Sequence, residues 1–261
     1  MAICNVTPDS FSDGGEHYSV GLAVQYARSV LRDGATLFDI GGESTRPGAQ
    51  PVGVELELAR VIPVIAAVHE CVPELIISVD TVKASVAEAA LDAGARVVND
   101  VSGGRLDVRM FDVMARSGAG VVLMHSRGAV HEMASYGMAE YGDDVTQAVC
   151  DALTTQADDA VSAGIARESI VLDPGLGFSK TSAQSITLLR ELARVSMLGY
   201  PLLVGASRKR FIGELTAVEA PSQRVIGSVA AHLLAVQRGA AIVRTHDVAA
   251  TQEALKVLAA L

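Results

Sequence analysis

The sequence predicts an α/β protein folded as a single (β/α)8 TIM barrel over residues 1–261, with its active site at the carboxyl ends of the strands. Three observations carry that expectation. The length of 261 residues is close to the roughly 250 of a typical barrel. Short apolar runs end repeatedly on an acid or an amide: Leu37-Phe38-Asp39 before IGGESTRPGA, Ile77-Ser78-Val79-Asp80 before TVK, Val97-Val98-Asn99-Asp100 before VSGG, and Ile170 to Leu172 before Asp173 and PGLGF. Parallel α/β proteins offer polar groups to ligands in this way. The loops are also asymmetric, because strand-to-helix loops are long and polar at the first, second, fifth, sixth and seventh units while helix-to-strand turns are short.

In chain order, strands are expected near 1–5, 36–40, 75–80, 96–100, 120–124, 169–172, 201–204 and 241–244. Helices are expected near 19–33, 54–70, 83–93, 108–117, 143–163, 185–197, 221–238 and 248–260. Small-residue stops such as Asp33-Gly34-Ala35, Asp92-Ala93-Gly94-Ala95 and Arg238-Gly239-Ala240 end helices, since glycine supplies a left-handed C-cap. No linker, low-complexity tract or charge block divides the chain. The rival fold is a doubly wound open sheet, but Gly14-Gly15 does not match the glycine fingerprint of a nucleotide turn after strand 1.

Half of the residues are hydrophobic, Trp is absent and aromatics are 4%, so the core is built from Ala, Val, Leu and Ile, which suits parallel strands covered by helices. The net charge of −9 argues against nucleic acid, which calls for a basic stripe. Cys4, Cys71 and Cys150 are scattered without metal spacing and suit a reducing cytosol. No apolar run reaches the ~18 residues of a membrane span, and no charged-then-apolar leader opens the chain. A cytoplasmic location follows as the expectation.

Chemistry concentrates in the loops. The first, NVTPDSFSDGG at residues 5–15, is rich in oxygen ligands, and the amide oxygen of Asn5 at the strand end suits a hard cation such as Mg²⁺. The second, residues 41–49, carries Thr45, Arg46 and Pro47: a hydroxyl, a guanidinium fork suited to phosphate and a rigid apolar ring. A solvated surface role for Arg46 stays open, as does a structural partnership for Glu43. Asp80, Asn99 and Asp173 close three strands and point toward the barrel mouth. Two acids and an amide can grip a flat heterocycle with an N–C–N donor edge. Singly, Asp80 could be a helix N-cap and Asp173 a turn former before Pro174. Arg208, Lys209 and Arg210 form the densest basic cluster, which at a helix start would make an anion site. Arg244 and His246 close the last strand with two phosphate-binding groups. His125, after the fifth strand, reads as structural rather than catalytic.

These motifs resemble the dihydropteroate synthase family of pterin-binding TIM barrels. NVTPDSFSDGG, GGESTRPGA, SVDT, VNDVSGG, LMH, LDPGLGF, GASRKRFIG and RTHD occur in the family's order across essentially the whole chain. The resemblance implies condensation of 6-hydroxymethyl-7,8-dihydropterin diphosphate with 4-aminobenzoate, giving 7,8-dihydropteroate and pyrophosphate in folate biosynthesis. By that resemblance Asp80, Asn99 and Asp173 are pterin-edge ligands. Lys209 contacts the pterin and borders the aminobenzoate, and with Asp80 and Asp173 it forms the catalytic set. Asn5 binds Mg²⁺ and diphosphate, and Arg244 and His246 anchor phosphate. Thr45, Arg46, Pro47 and Phe11 belong to loops that close over the diphosphate and frame the aminobenzoate pocket, and Phe178 is that pocket's aromatic wall. A homodimer is the family expectation, with small-molecule substrates and no nucleic-acid or membrane partner.

The chain departs from the family in beginning only four residues before Asn5, where longer leaders are common, and in carrying Cys4 where Leu is usual. The loop after His125 has no role assigned by the resemblance. Two rival readings share the barrel. A methyltetrahydrofolate:corrinoid methyltransferase would keep the Asp/Asn edge but has no use for NVTPDSFSDGG, SRK or RTHD. A non-catalytic pterin-binding barrel would be expected to have lost Asn5, Lys209 or His246.

Overall fold

The computed structural model describes residues 1–7, 20–44 and 50–261. Apolar runs of three to five residues alternate with longer amphipathic stretches, and each run becomes a strand of one parallel sheet. The strands are β1 (Ala2–Asn5), β2 (Leu37–Gly41), β3 (Ile76–Asp80), β4 (Val97–Asp100), β5 (Gly120–Met124), β6 (Ile170–Asp173), β7 (Leu202–Val204) and β8 (Ala240–Val243). They pair in sequence order, β1 through β8, and every pairing is parallel. A parallel bridge between Ala2 and Thr245 joins the two ends of the sheet, with Ile3 N donating to Thr245 O at 3.1 Å and Thr245 N to Met1 O at 3.0 Å. The ladder therefore closes on itself as a barrel.

Helices cover the outside. They are α1 (Val20–Arg32), α2 (Val54–Cys71), α3 (Ala84–Asp92), α4 (Met110–Ser117), α5 (Val130–Met133), α6 (Val145–Ser162), α7 (Ser182–Arg190), α8 (Leu192–Ser196), α9 (Arg210–Thr216), α10 (Val225–Gln237) and α11 (Val248–Ala259). Successive helices pack on each other, α1 on α2, α2 on α3, α3 on α4 and α10 on α11. Small residues such as Ala23, Ala27, Ala87, Ala90, Ala157 and Ala235 are fully buried and let the helices lie close to the strands. Gly94, with φ 118°, turns the chain from α3 toward β4, and a Cβ there would collide with the His69 ring.

Three expectations are corrected. The helix expected at 185–197 starts earlier, at Ser182, where Thr181 caps it and Gln184 returns the bond. It also breaks at Glu191, which leaves the helical backbone region (φ −101°, ψ 17°) and pairs with Arg194. The helix expected from 221 begins at Val225, after a single 3-10 turn at Pro221–Gln223. Two short helices, α5 and α9, lie inside the strand-to-helix loops at the mouth.

Candidate active site

Register places the site before any loop is considered. Asn5 pairs with Gly41, Gly41 with Asp80, and Asp80 with Asn99, so these four residues form one rung at the carboxyl edge of the sheet. Neighbours on one rung of a parallel sheet point the same way. Asn5, Asp80 and Asn99 accordingly line one cleft of about 830 Å³, together with Asp173, Lys209, Arg244 and His246. That size suits a small-molecule ligand. Asp39 lies two residues before Gly41, one layer deeper on the same face.

The cleft's floor is a charge network. Arg244 donates from Nε to Asp39 Oδ2 at 2.6 Å and from Nη2 to Asp80 Oδ2 at 2.8 Å. Asn99 Nδ2 donates to the same Asp39 oxygen at 3.0 Å. Burial would lower the pKa of the Arg244 guanidinium, but Asp39 and Asp80 raise it above its ordinary value. Burial pushes the Asp80 carboxyl up, and Arg244 opposes that shift. The open phosphate fork expected of Arg244 is thus already engaged by two carboxylates. Asp80 does not cap α3, whose N-cap is Lys83.

Asp173 does form a turn, accepting from Gly175 N at 2.7 Å, and still lines the cleft. Burial raises its pKa to about 6 against the pull of the Gly175 amide, Lys209, Lys180 and Arg244. Lys209 places Nζ 3.7 Å from the centre of the Phe178 ring, a close cation–π contact. Burial lowers its pKa to about 8, with Asp173 opposing. The two flanking cations of the basic cluster point elsewhere. Arg208 makes a bidentate pair with Asp247 at 2.6 and 3.0 Å, and Arg210 stacks on Tyr136 at 3.7 Å. The expected anion site on the 208–210 stretch therefore reduces to Lys209, and α9 is too short to supply a helix dipole. His246 Nδ1 lies 2.9 Å from Ser207 Oγ, which also accepts from His246 N.

Lys180, two residues beyond the LDPGLGF motif and given no role by the sequence, is fully buried at the edge of this cleft. Its Nζ donates to Gly175 O and Phe178 O at 3.0 Å each, meets His125 Nδ1 at 2.9 Å and reaches His125 O at 3.4 Å. Burial, Lys180, Arg127 and Arg105 lower the His125 pKa to about 2, so the ring is neutral and its Nδ1 can accept a hydrogen bond from Lys180. His125 is in this way a structural post. A Cβ on Gly175 (φ 67°) would collide with the His125 carbonyl, so only glycine lets the two backbones touch.

The loop at 126–142, unassigned from sequence, buttresses the same turn. Arg127 N donates to Ser179 Oγ and Ser179 Oγ to Arg127 O, both at 2.9 Å, while Tyr141 Oη donates to Ser179 O at 2.9 Å. On the opposite side, Glu43 pairs with Lys83 at 2.6 Å and accepts from Val52 N at 2.8 Å, and Lys83 also pairs with buried Glu57 at 2.5 Å. Glu43 is thereby a structural partner, as its position beside Arg46 had left open. Phe11, Thr45, Arg46 and Pro47 lie outside the described residues.

With this geometry in place, comparison with known proteins is specific. The family model for pterin binding enzymes matches residues 1–246. A dihydropteroate synthase from Synechocystis is 45% identical over 261 residues, covering 100% of this chain and 89% of the relative. A Xanthomonas albilineans dihydropteroate synthase solved with 4-aminobenzoic acid superimposes with a TM-score of 0.92 at 50% identity, covering 99% of this chain and 91% of that one. The same enzyme solved with 7,8-dihydropteroate gives 0.89 at 47% identity, with the same coverage.

Proposed function

The chain belongs to the pterin-binding enzyme family, and we propose that Asp80, Asn99, Asp173 and Lys209 are the groups with which it carries out the dihydropteroate synthase reaction. That reaction joins 6-hydroxymethyl-7,8-dihydropterin diphosphate to 4-aminobenzoate, giving 7,8-dihydropteroate and pyrophosphate. The chain is a transferase of folate biosynthesis. The observation that carries the residue roles is the single rung of Asn5, Asp80 and Asn99, with Asp173 facing the same cleft. Three acceptors there meet the N–H edge of a pterin ring. The relatives named above are synthases, not corrinoid methyltransferases.

In this reading the methylene–oxygen bond breaks and its electron pair leaves with the diphosphate. The positive charge left on the methylene is shared with the pterin ring. Asp80 and Asp173, which line the cleft, stabilise that charge as it develops. The aniline nitrogen then attacks with its lone pair and loses a proton to solvent. Its own nucleophilicity makes a strong general base unnecessary. Lys209 over Phe178 forms one wall of the slot for the second substrate. His246, fixed by Ser207, meets the phosphate, and Arg244 adds the N–H groups that Asp39 and Asp80 leave to it.

Asn5 is a hard oxygen donor at the end of β1, and among the described residues no three His, Cys, Asp or Glu gather around one point. This donor set fits Mg²⁺ held mainly by substrate phosphate oxygens and water. When bound, the ion would neutralise the departing diphosphate. A homodimer and a cytosolic location belong to the same proposal; no described helix is long and apolar enough to cross a membrane.

The test is release of pyrophosphate and dihydropteroate by the purified chain, with and without Mg²⁺. Product is expected only when both substrates are present. Methyl transfer from methyltetrahydrofolate, with no condensation, would overturn the proposal.

A further inference from the structure

Asp39 is fully buried beneath the rung that lines the cleft. Its Oδ2 accepts from both Asn99 Nδ2 and Arg244 Nε, while its Oδ1 has no hydrogen-bond partner among the described residues. A buried carboxylate oxygen left unpaired is destabilising, so the position is poorly explained by stability alone. Directly above it the rung carries Gly41, where a Cβ would sit 3.3 Å from Asp80 Cβ.

An ionised carboxylate only accepts hydrogen bonds, whereas an amide offers one donor group and one acceptor. With Asp39 beneath it, Asn99 must turn its NH₂ downward. The reverse orientation would set two buried oxygens about 3 Å apart with no proton between them. We propose that Asp39 is a positioning residue that sets the hydrogen-bond polarity of the pocket: it commits the Asn99 carbonyl oxygen to the ligand, so that Asp80, Asn99 and Asp173 present acceptors only and select a heterocycle edge made of N–H donors. By holding Arg244 Nε it also fixes the guanidinium whose Nη2 serves Asp80. This inference rests on the pterin reading of the cleft and adds a residue that touches no substrate.

A swap tests it. Asn99→Asp places two carboxylates face to face and should raise the KM for the pterin diphosphate roughly tenfold or more, the worth of a charged hydrogen bond. Adding Asp39→Asn restores a donor beneath an acceptor, because the new amide can turn its NH₂ to residue 99; that turn gives up the bond from Arg244 Nε, while Arg244 keeps its bond to Asp80. The double variant should therefore recover most of the lost pterin affinity. A double variant as poor as Asn99→Asp, with both melting like the wild type, would overturn the role. Asp39→Asn alone is the second reading, usable if Asn99→Asp does not fold. It frees the Asn99 amide to turn and should raise the KM for the pterin diphosphate while leaving that for 4-aminobenzoate unchanged. An unchanged pterin KM, or failure of this near-isosteric variant to fold, would sink the proposal. Wild-type condensation, assayed alongside, fails only if the functional reading itself is wrong.

Discussion

Two cations sit in one barrel mouth and are held by opposite means. Arg244 lies between Asp39 and Asp80, charge against charge, at 2.6 and 2.8 Å. Lys180 is more deeply buried, yet no carboxylate bonds to it: its acceptors are one imidazole nitrogen and backbone carbonyls. The consequence is visible in their protonation. Burial acts on both, but two carboxylates more than restore the Arg244 charge, whereas the Lys180 pKa falls to about 7 with only Asp173 opposing. One cation is an electrostatic keystone for the Asp39 and Asp80 carboxylates. The other is a geometric staple, fastening the turn after β6 to the end of β5.

If that distinction is right, removing Arg244 has the largest effect. Arg244→Met should destabilise the fold by about 3–5 kcal/mol, because two buried carboxylates lose their partner. Urea unfolding at neutral pH measures it. A loss below about 1 kcal/mol would mean that the carboxylates find compensation elsewhere and that the network is not held by charge.

Asp173 stands between the two cations and separates their roles further. Asp173→Asn should lower kcat by about 2–4 kcal/mol of transition-state stabilisation, with little loss of fold stability. Burial already raises the pKa of this carboxyl to about 6, so its ionised form is costly to the folded state. Activity within a few-fold of wild type, alongside intact folding, would remove Asp173 from the catalytic set.

The contrast also explains what the sequence could reveal. Acids and amides that close short apolar runs announce a barrel rim, because that arrangement is local in sequence, and it singles out Asp80, Asn99 and Asp173. Asp39 carries the same signature in FDIGG but sits a layer deeper, and only register separates a ligand-facing acid from a supporting one. Lys180 follows LDPGLGFS directly, yet its partner His125 is 55 positions away. Sequence spacing cannot show that a lysine so close to a glycine turn is buried rather than solvated. Arg208 misled for the related reason that its partner, Asp247, is contributed by the next unit of the barrel.

Lys180→Met keeps the side-chain length and removes the staple. Two loop carbonyls and His125 lose their donor, at a cost of about 1–3 kcal/mol, offset in part because a charge no longer needs burial. The net loss should be smaller than for Arg244→Met. Because Phe178 O is one of the released acceptors, the KM for 4-aminobenzoate should rise more than the KM for the pterin diphosphate. An equal change in both would show that the turn is not what Lys180 positions.

The finest distinction is in pH. A lysine whose folded pKa is about 7 has lost its proton in the native state at pH values where the unfolded chain, with a pKa near 10.5, still holds it. Between those values the unfolded state binds more protons, so stability contributed by this group rises with pH. Its burial penalty is felt in full below about 7 and is progressively relieved above. The wild type should therefore gain on Lys180→Met by up to about 1 kcal/mol between pH 7 and pH 8. Lys209 titrates nearby in the same sense, with a pKa of about 8, but it is present in both proteins and largely cancels from the difference. The Arg244→Met deficit has a different origin: the guanidinium itself stays charged, but its loss lets burial push the Asp80 carboxyl higher still, so that deficit follows the carboxylates. Parallel urea titrations of the three proteins at the two pH values make the comparison. A Lys180→Met difference that stays level between the two pH values would mean that Lys180 keeps its charge in the fold, and that carbonyls and an imidazole hold a buried cation as firmly as two carboxylates do.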